Sequence, residues 1–340
     1  MAERVKPPLE LAWEDWGAWR PLPGPDAVCA YLARAVWQRP STPSAWEIAQ
    51  LSTAVFAYRE RERGQTAVAK FYSRKSHWHS ETYAAREMER IQAVTARTKP
   101  TGVRVARALG VWRSVLLLEY APGQTLQAFV GQRPFPADEV AGLLDKIAAF
   151  LAHLHQTRQP NPPPDPGGPP LYARKLLHTL AQHGVLRPRP AVREQLEALV
   201  DNWAGRPDLF DAAPALLHGD MTTGNFLITP TGEIVVIDLE RSHYGDPARD
   251  VGFFAAELDH SLPVAHADRL AAHFLAAYDR MTRPNADATL AQRLRFYRGI
   301  ATLRIARNGW LSEAERGALT ARARAHFACP TDPHGARTPD

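Results

Sequence analysis

Apolar positions over the C-terminal two thirds of the chain recur at spacings of three and four residues, which is typical of amphipathic helices. The clearest case is Asp138–Gln156, where leucine, isoleucine, valine and phenylalanine residues share one face. The same spacing predicts further helices over Leu171–Gly184, Ala191–Trp203, Val251–Leu258, Ala265–Asp279, Thr289–Ala306 and Ser312–Phe327. We therefore expect this part of the chain to be mainly helical.

The N-terminal third instead contains short runs of β-prone residues separated by turns. Asp26 is a suitable N-cap for a helix over Ala27–Trp37, and an apolar stripe predicts a second helix over Ser80–Ala96. An antiparallel meander is predicted from three runs, Trp46–Leu51, Ala54–Glu60 and Thr66–Phe71. Two further runs, Val103–Ala108 and Val115–Glu119, are expected to complete the sheet. A sheet with associated helices is therefore expected here.

A hairpin is predicted from Phe226–Thr229 and Ile234–Ile237, which flank a Pro-Thr-Gly turn. Because a hairpin brings its two ends together, Asn225 at the entry and Asp238 at the exit should lie side by side. Asp220 stands five residues upstream of Asn225. Such residues also occur in turns for purely local reasons. Their concentration at one end of a hairpin favours a divalent-metal site with a second acid beside it.

Composition and charge exclude several classes of protein. The 340 residues are 45% hydrophobic and 23% charged, as expected of a globular chain with one or two domains. We find no apolar run long enough to span a bilayer, no signal peptide and only Cys29 and Cys329, so a cytoplasmic protein without a membrane partner is expected. A formal charge of +5, without basic runs interleaved with aromatic residues, does not indicate nucleic-acid binding.

The motif His218-Gly219-Asp220 with Asn225 resembles the catalytic loop of the aminoglycoside phosphotransferase family, within the protein-kinase-like superfamily. Ile237–Glu240 resembles the metal-binding strand end of that family, and Asp246–Asp250 the segment after it. The resemblance implies an α+β, bilobal protein-kinase-like fold with an N-terminal antiparallel sheet plus helix and a mainly helical C-terminal lobe. The implied boundaries are 1–120 for the nucleotide-binding lobe and 121–330 for the catalytic and acceptor-binding lobe. The Pro-, Thr- and Gly-rich composition of residues 331–340 predicts a disordered tail.

The resemblance also implies roles in the N-terminal lobe. Lys70 would hold the α- and β-phosphates of a nucleotide, oriented by Glu87, with Glu81 as the alternative partner. A glycine-rich phosphate loop is lacking, and the sequence there offers only the hydroxyls of Ser52 and Thr53 and nearby backbone N–H groups. After the sheet, Glu119 and Ala121 would contact the adenine edge through main-chain atoms.

In the C-terminal lobe, Asp220 would accept or orient the proton of the acceptor hydroxyl, with His218 bracing its loop. Asn225 and Asp238 would bind Mg²⁺, and Asp250 would hold the backbone at His218. Glu240 and Asp246 would support the site without binding the ion or the substrates themselves.

These roles predict an ATP- and Mg²⁺-dependent phosphotransferase, with GTP as an alternative donor, acting as a monomer or homodimer. The acceptor would be a hydroxyl of a small molecule such as an antibiotic, a sugar or another natural product. One alternative is a kinase of Ser/Thr hydroxyls in a peptide or protein. Another is a nucleotide- or peptide-binding pseudokinase, favoured only by the missing glycine-rich loop.

Basic residues suggest the character of the acceptor. A predicted helical insert carries a group without intervening acids, Arg174, Lys175, Arg187, Arg189 and Arg193. We read this group either as solvated charge or as evidence for a neutral or acidic acceptor rather than a polycation. A second group on a later helix is expected to flank the acceptor groove: Arg293, Arg295, Arg298, Arg304 and Arg307.

Overall fold

The computed structural model describes residues 7–22, 24, 26–38, 46–72, 80–98, 102–159, 168–186, 189–282, 287 and 289–328. The chain forms two compact units: Met1–Gln124 with Leu227–Glu240, and Thr125–Phe226 with Arg241–Asp340. Three of our expectations lie outside the described residues, namely those for Arg187, for Cys329 and for the tail 331–340.

The first unit is built on a six-stranded antiparallel sheet. Its strands are β1 (Arg20–Pro21), β2 (Trp46–Ser52), β3 (Val55–Glu60), β4 (Thr66–Phe71), β6 (Ala108–Trp112) and β7 (Val115–Glu119), in the spatial order β1-β2-β3-β4-β7-β6. The three-stranded meander is confirmed within one residue at the strand ends. Lys70 lies opposite Val55 on one side and Leu116 on the other, and is therefore on a central strand.

The prediction of one strand over Val103–Ala108 is wrong. Strand β5 (Val103–Val105) is shorter and pairs in parallel with β11 (Ile234–Val236), in a second sheet. The Ala106 N–H donates to the Val236 carbonyl, whereas the Arg107 carbonyl accepts from the Glu119 N–H. The chain thus changes sheets between these two residues, and β6 follows as a separate strand.

The predicted hairpin is confirmed, because β10 (Phe226–Ile228) and β11 are neighbours in the second sheet. Its turn is closed by the Thr229 N–H donating to the Glu233 carbonyl over 2.9 Å. At the other edge of β10, β8 (Gln124–Thr125) completes the sheet order β5-β11-β10-β8.

Helices cover the large sheet of the first unit. Helix α1 (Ala27–Tyr31) begins at Asp26, which accepts from the Val28 N–H over 2.6 Å. The predicted helix continues to Val36, but with π-helical rather than α-helical geometry. Helix α2 (Ser80–Thr95) packs against β5, β6 and β7. The core on the α1 face contains Val28, Leu32, Trp46, Ile48, Phe56, Tyr58 and Phe71.

The second unit is mainly helical, as predicted. Its helices are α3 (Leu126–Val130), α4 (Ala137–Leu154), α5 (Gly168–Gln182), α6 (Pro190–Ala204), α7 (Pro247–Ser261), α8 (Val264–Thr282), α9 (Leu290–Ala306) and α10 (Glu313–Phe327). Helix α7 packs between α8 and α9, and α10 packs on α9 and α6. In the described part of the chain, every helix is too short or too polar to cross a bilayer.

A two-stranded ribbon supports the motif residues of the second unit. Strand β9 (Ala215–Leu217) pairs antiparallel with β12 (His243–Gly245), with His243 opposite Leu217. The loop carrying His218 to Asn225 leaves directly from β9, and α7 packs against the same strand. The ribbon and α7 therefore hold the start of the predicted catalytic loop.

Candidate active site

Lys70 of the first unit lies among three carboxylates. Its Nζ donates to Asp238 Oδ1 over 2.7 Å and lies 2.9 Å from Glu87 Oε2 and 3.3 Å from Glu240 Oε2. The structure thus pairs Lys70 with Glu87, while Glu81 is exposed at the start of α2. Burial lowers the Lys70 pKa, but the charges of Glu87, Asp238 and Glu240 outweigh it and raise the pKa above its ordinary value. Lys70 is consequently a fixed cation.

Glu87 is almost completely buried, so the pair is held inside the unit. Burial raises the pKa of Glu87 to about 7, against the opposing charge of Lys70. The Tyr72 hydroxyl also donates to Glu87 Oε2, the oxygen nearest to Lys70 Nζ. Tyr72 follows Lys70 by two positions and so projects to the same side of the chain. Sequence reasoning missed Tyr72, although this spacing was a signal for it.

The backbone around Asp238 and Glu240 has two further notable features. Asp238 has a φ of +61°, a left-handed conformation that costs a non-glycine residue free energy and is common at functional sites. Arg90 on α2 donates to the Glu240 carbonyl. The carboxylate oxygens of Glu87, Asp238 and Glu240 lie within 4.8 Å of one another, which is close enough for one metal ion.

The other predicted nucleotide contacts are less distinctive. Ser52 and Thr53 form a tight turn between β2 and β3, where the Ser52 hydroxyl lies 3.4 Å from the Ala54 N–H. The Glu119 carboxylate is bonded to Arg104 and to the Arg107 N–H. Only main-chain atoms of Glu119 and Ala121 therefore fit the predicted adenine contact.

In the second unit, the Asp250 carboxylate organises the predicted catalytic loop. Its Oδ2 accepts from the His218 N–H over 2.6 Å and its Oδ1 from the Gly219 N–H over 3.0 Å. His155, the packed histidine at the end of α4, lies 3.4 Å from Oδ2 and bonds the Tyr278 hydroxyl through its other ring nitrogen. Burial opposes ionisation, but the His155 contact and the backbone donors lower the pKa of Asp250.

The loop can approach its neighbours this closely only because residue 219 is glycine. Gly219 has a φ of +86°, and a Cβ there would lie 2.1 Å from the Arg241 carbonyl oxygen. His218 is completely buried, and its Nδ1 accepts from the Asp220 N–H over 3.2 Å. The loop is therefore fixed from both sides of Gly219.

Asp220, the predicted base, is held at both ends. Asn225 donates through its side-chain amide to the Asp220 carbonyl over 2.8 Å. Arg304 on α9 donates to Asp220 Oδ1, and Arg241 lies 3.7 Å from Oδ2. Burial raises the pKa of Glu257 to about 7, with Arg304 opposing and Asp220 adding to the shift. Sequence reasoning did not single out Arg241 or Glu257, because neither has a recognisable spacing from Asp220.

Asn225 belongs to the second unit and Asp238 to the first, so their shared metal site stays a prediction. Asp246 caps α7 by accepting from the Ala248 N–H and forms an ion pair with Arg293 at 2.8 Å. Arg293 is completely buried and also bonds Asp287. The expectation that Arg293 flanks an acceptor groove is therefore wrong, because its guanidinium serves an internal ion-pair network.

Most of the other basic side chains also have local partners. Arg174 pairs with Asp201, Arg189 with Glu313 and Arg193 with Glu197, at 2.7 to 3.1 Å. Asp201 and Glu197 lie on α6 and Glu313 lies on α10, so all three acids follow the arginines in the sequence. The charge of the insert is thus largely balanced, and it carries little information about the acceptor.

A protein-family model described as the phosphotransferase enzyme family matches residues 47–289, well over half of the chain. The chain belongs to this family. The match includes Lys70, the His218–Asp220 loop and Asp250. It confirms the resemblance noted from the motifs, and it confirms an ATP-dependent phosphotransferase with an alcohol acceptor as the class of enzyme. No curated protein matches the sequence of this phosphotransferase.

Solved structures confirm the kinase-like fold of the phosphotransferase. Macrolide 2′-phosphotransferase MphH from Brachybacterium faecium has a TM-score of 0.54 and 18% identity, over 88% of this chain and 98% of that one. An ethanolamine kinase from Plasmodium vivax has a TM-score of 0.56 and 13% identity, over 87% of each chain. An aminoglycoside phosphotransferase from Alicyclobacillus acidocaldarius has a TM-score of 0.54 and 15% identity, over 82% and 89%. At these identities the likeness establishes the fold alone.

Proposed function

We propose that the protein transfers the γ-phosphoryl group of ATP, with Mg²⁺, to a hydroxyl of a small molecule. The observation that carries the proposal is the pairing of the central-strand Lys70 with the buried Glu87, together with Asp238 and Glu240. A cation held permanently charged on a strand is what anchoring of nucleotide phosphates requires. Solved structures similar to this chain include an aminoglycoside phosphotransferase bound to streptomycin and ATP and another bound to ADP, which supports nucleotide binding by this chain as well.

The acids around Lys70 suit a magnesium ion. Hard divalent cations take oxygen ligands, and the three carboxylates outnumber the single lysine charge. Asp238 and Glu240 would hold Mg²⁺, with Asn225 as the predicted ligand from the other unit, while Glu87 stays with Lys70 and Tyr72. Bound there, the ion would neutralise charge on the transferring phosphoryl group.

Asp220 is assigned the acceptor side of the reaction. Asn225 holds the backbone carbonyl of Asp220, and Arg304 holds its carboxylate. The carboxylate therefore has one orientation, which positions a hydroxyl for in-line attack. The hydroxyl proton passes to Asp220 as the new oxygen–phosphorus bond forms, while the bond between the γ-phosphorus and the bridging oxygen breaks and ADP leaves. His218 and Asp250 contribute by keeping the loop rigid.

Nucleotide binding can be tested without knowing the acceptor. Mg²⁺–ATP should raise the melting temperature of the wild-type protein, because a ligand that binds only the folded state stabilises it. Lys70→Ala should abolish this shift, whereas Lys175→Ala, at an exposed position on α5, should retain it. An unchanged melting temperature of the wild type in Mg²⁺–ATP would contradict the proposal and favour a pseudokinase that does not use nucleotide.

Transfer itself requires a screen of hydroxyl compounds and of Ser/Thr peptides, followed by mass spectrometry for added phosphate. With an acceptor in hand, Asp220→Asn should reduce turnover by about 10³-fold or more while leaving the Mg²⁺–ATP shift intact. Asp208→Asn is a matched control in the same unit, in an ion pair with Arg206. Turnover by Asp220→Asn at the wild-type rate would refute the assigned role, and phosphate on peptides alone would favour the protein-kinase alternative.

A further inference from the structure

The second unit contains a cleft of about 240 Å³ between the start of α5, strand β12 and helices α7 and α9. Aromatic rings form much of its wall, namely those of Tyr172, Phe253 and Tyr297. Arg249, on the first turn of α7, lines it together with His243. Its size and its mixed aromatic and polar lining suit a small organic molecule.

Phe253, which lines this cleft, links it through Arg304 to the predicted catalytic carboxylate. The Arg304 guanidinium is 5.7 Å from the centre of the Phe253 ring and donates to Asp220 Oδ1. The Arg249 guanidinium is 5.2 Å from the centre of the same ring. One aromatic side chain therefore contacts both the cation in the cleft and the cation on Asp220.

The charges that face the cleft do not cancel. Asp246 lines it, but its carboxylate is taken up by Arg293 and by the Ala248 N–H. Arg249 has a hydrogen bond with the His243 ring at 3.0 Å, and among the residues with described coordinates no carboxylate forms an ion pair with it. A half-buried guanidinium without a counterion is a ready partner for an oxyanion.

On these grounds, and resting on the proposed function, we infer that the acceptor is a hydroxyl compound that also bears an anionic group, a carboxylate or a phosphate. Arg249 binds the anionic group, and the rings of Tyr172, Phe253 and Tyr297 cover the carbon skeleton. The hydroxyl then lies towards Asp220. A cationic acceptor would instead meet Arg249 at like charge, which disfavours it.

Thermal shift with simple probes tests this inference. Inorganic phosphate and glucuronate represent the two anionic groups, while glucose and glucosamine are the neutral and cationic controls. All samples contain Mg²⁺ and a saturating non-hydrolysable ATP analogue, so that the donor site is not available to phosphate. At tenfold over its dissociation constant, each anionic probe that binds should raise the wild-type melting temperature by about 2 °C.

Variants show whether a shift in melting temperature comes from binding in the cleft. Arg249→Gln should lose it and Arg249→Lys should keep part of it, while Arg280→Gln, at an exposed arginine of α8 that pairs with Asp145, should behave as wild type. Equal shifts in wild type and Arg249→Gln, an equal response to glucosamine, or no response to either anion would overturn the inference. Failure of the ATP analogue alone to stabilise the protein would instead count against the proposed function.

Discussion

Replacing Asp250 by Asn tests whether one buried carboxylate organises the catalytic loop. The side chain is 1% exposed, and its two oxygens accept from the backbone N–H groups of His218 and Gly219. Asparagine has nearly the same shape but only one oxygen. Its amide nitrogen would therefore face a backbone N–H, and one buried donor would be left without an acceptor.

The expected cost follows from these contacts. A hydrogen bond to a charged group contributes about 1.5–3 kcal/mol, and a buried donor left unsatisfied costs about 1–3 kcal/mol. Removing the negative charge of Asp250, which lies 3.4 Å from the His155 ring, adds to this loss of stability. Since such terms are not additive, we expect Asp250→Asn to lower the free energy of unfolding by about 3–5 kcal/mol.

Urea unfolding followed by fluorescence and circular dichroism provides the measurement. Asp201→Asn is the matched control, because Asp201 forms an exposed ion pair with Arg174 and should cost less than about 1 kcal/mol. Phosphotransfer should also fall in Asp250→Asn under conditions where the variant remains folded. If its unfolding free energy stays within about 1 kcal/mol of wild type, the carboxylate does not hold the loop as we describe.

Three further predictions concern the second unit. Because burial raises the pKa of Glu257 to about 7, the folded state favours its protonated form, so wild type should lose stability as the pH rises from about 4.5 to 7. Glu257→Gln should lose less stability than wild type when urea unfolding is repeated across the range, because only the contribution of Glu87, whose pKa is also raised to about 7, remains; identical profiles would contradict the assignment. Gly219→Ala should cost more than about 2 kcal/mol and impair turnover, because of its φ of +86° and the contact with Arg241. Gly232→Ala, with a φ of +75° but open space around it, is the control and should cost about 1 kcal/mol. Arg293→Met should lower stability by about 3–5 kcal/mol by stranding Asp246, whereas a change confined to the acceptor KM would restore the groove interpretation.

Local patterns predicted the elements well where one periodicity ran uninterrupted, as in α4 and in the strands from Trp46 to Phe71. They failed where the tertiary structure divides a run. Residues 103–108 look like one strand, yet the backbone bonds of Ala106 and Arg107 go to different sheets. The change from α to π geometry after Tyr31 likewise has no signal in the apolar spacing.

For the site, motif spacing was enough to select Lys70, Glu87, Asp220 and Asp250, whose contacts are now described. It could not select Arg241 or Glu257, because their relevance depends on distances between residues far apart in the chain, whereas Tyr72 was missed although it follows Lys70 by two positions. Arg293 shows the converse problem. Its sequence neighbourhood suggests an exposed basic helix face, but its guanidinium is buried between Asp246 and Asp287.

The two sets of functional residues are each positioned from within their own unit. The acids described around Lys70 come from α2 and from the segment after β11, all in the first unit. The described partners of Asp220, among them His218, Asn225, Arg241 and Arg304, are all in the second. Nucleotide anchoring and acceptor activation should therefore be separable by mutation. Lys70→Ala should remove the Mg²⁺–ATP shift while leaving the anion response of the cleft, and Asp220→Asn should keep the nucleotide shift while losing transfer.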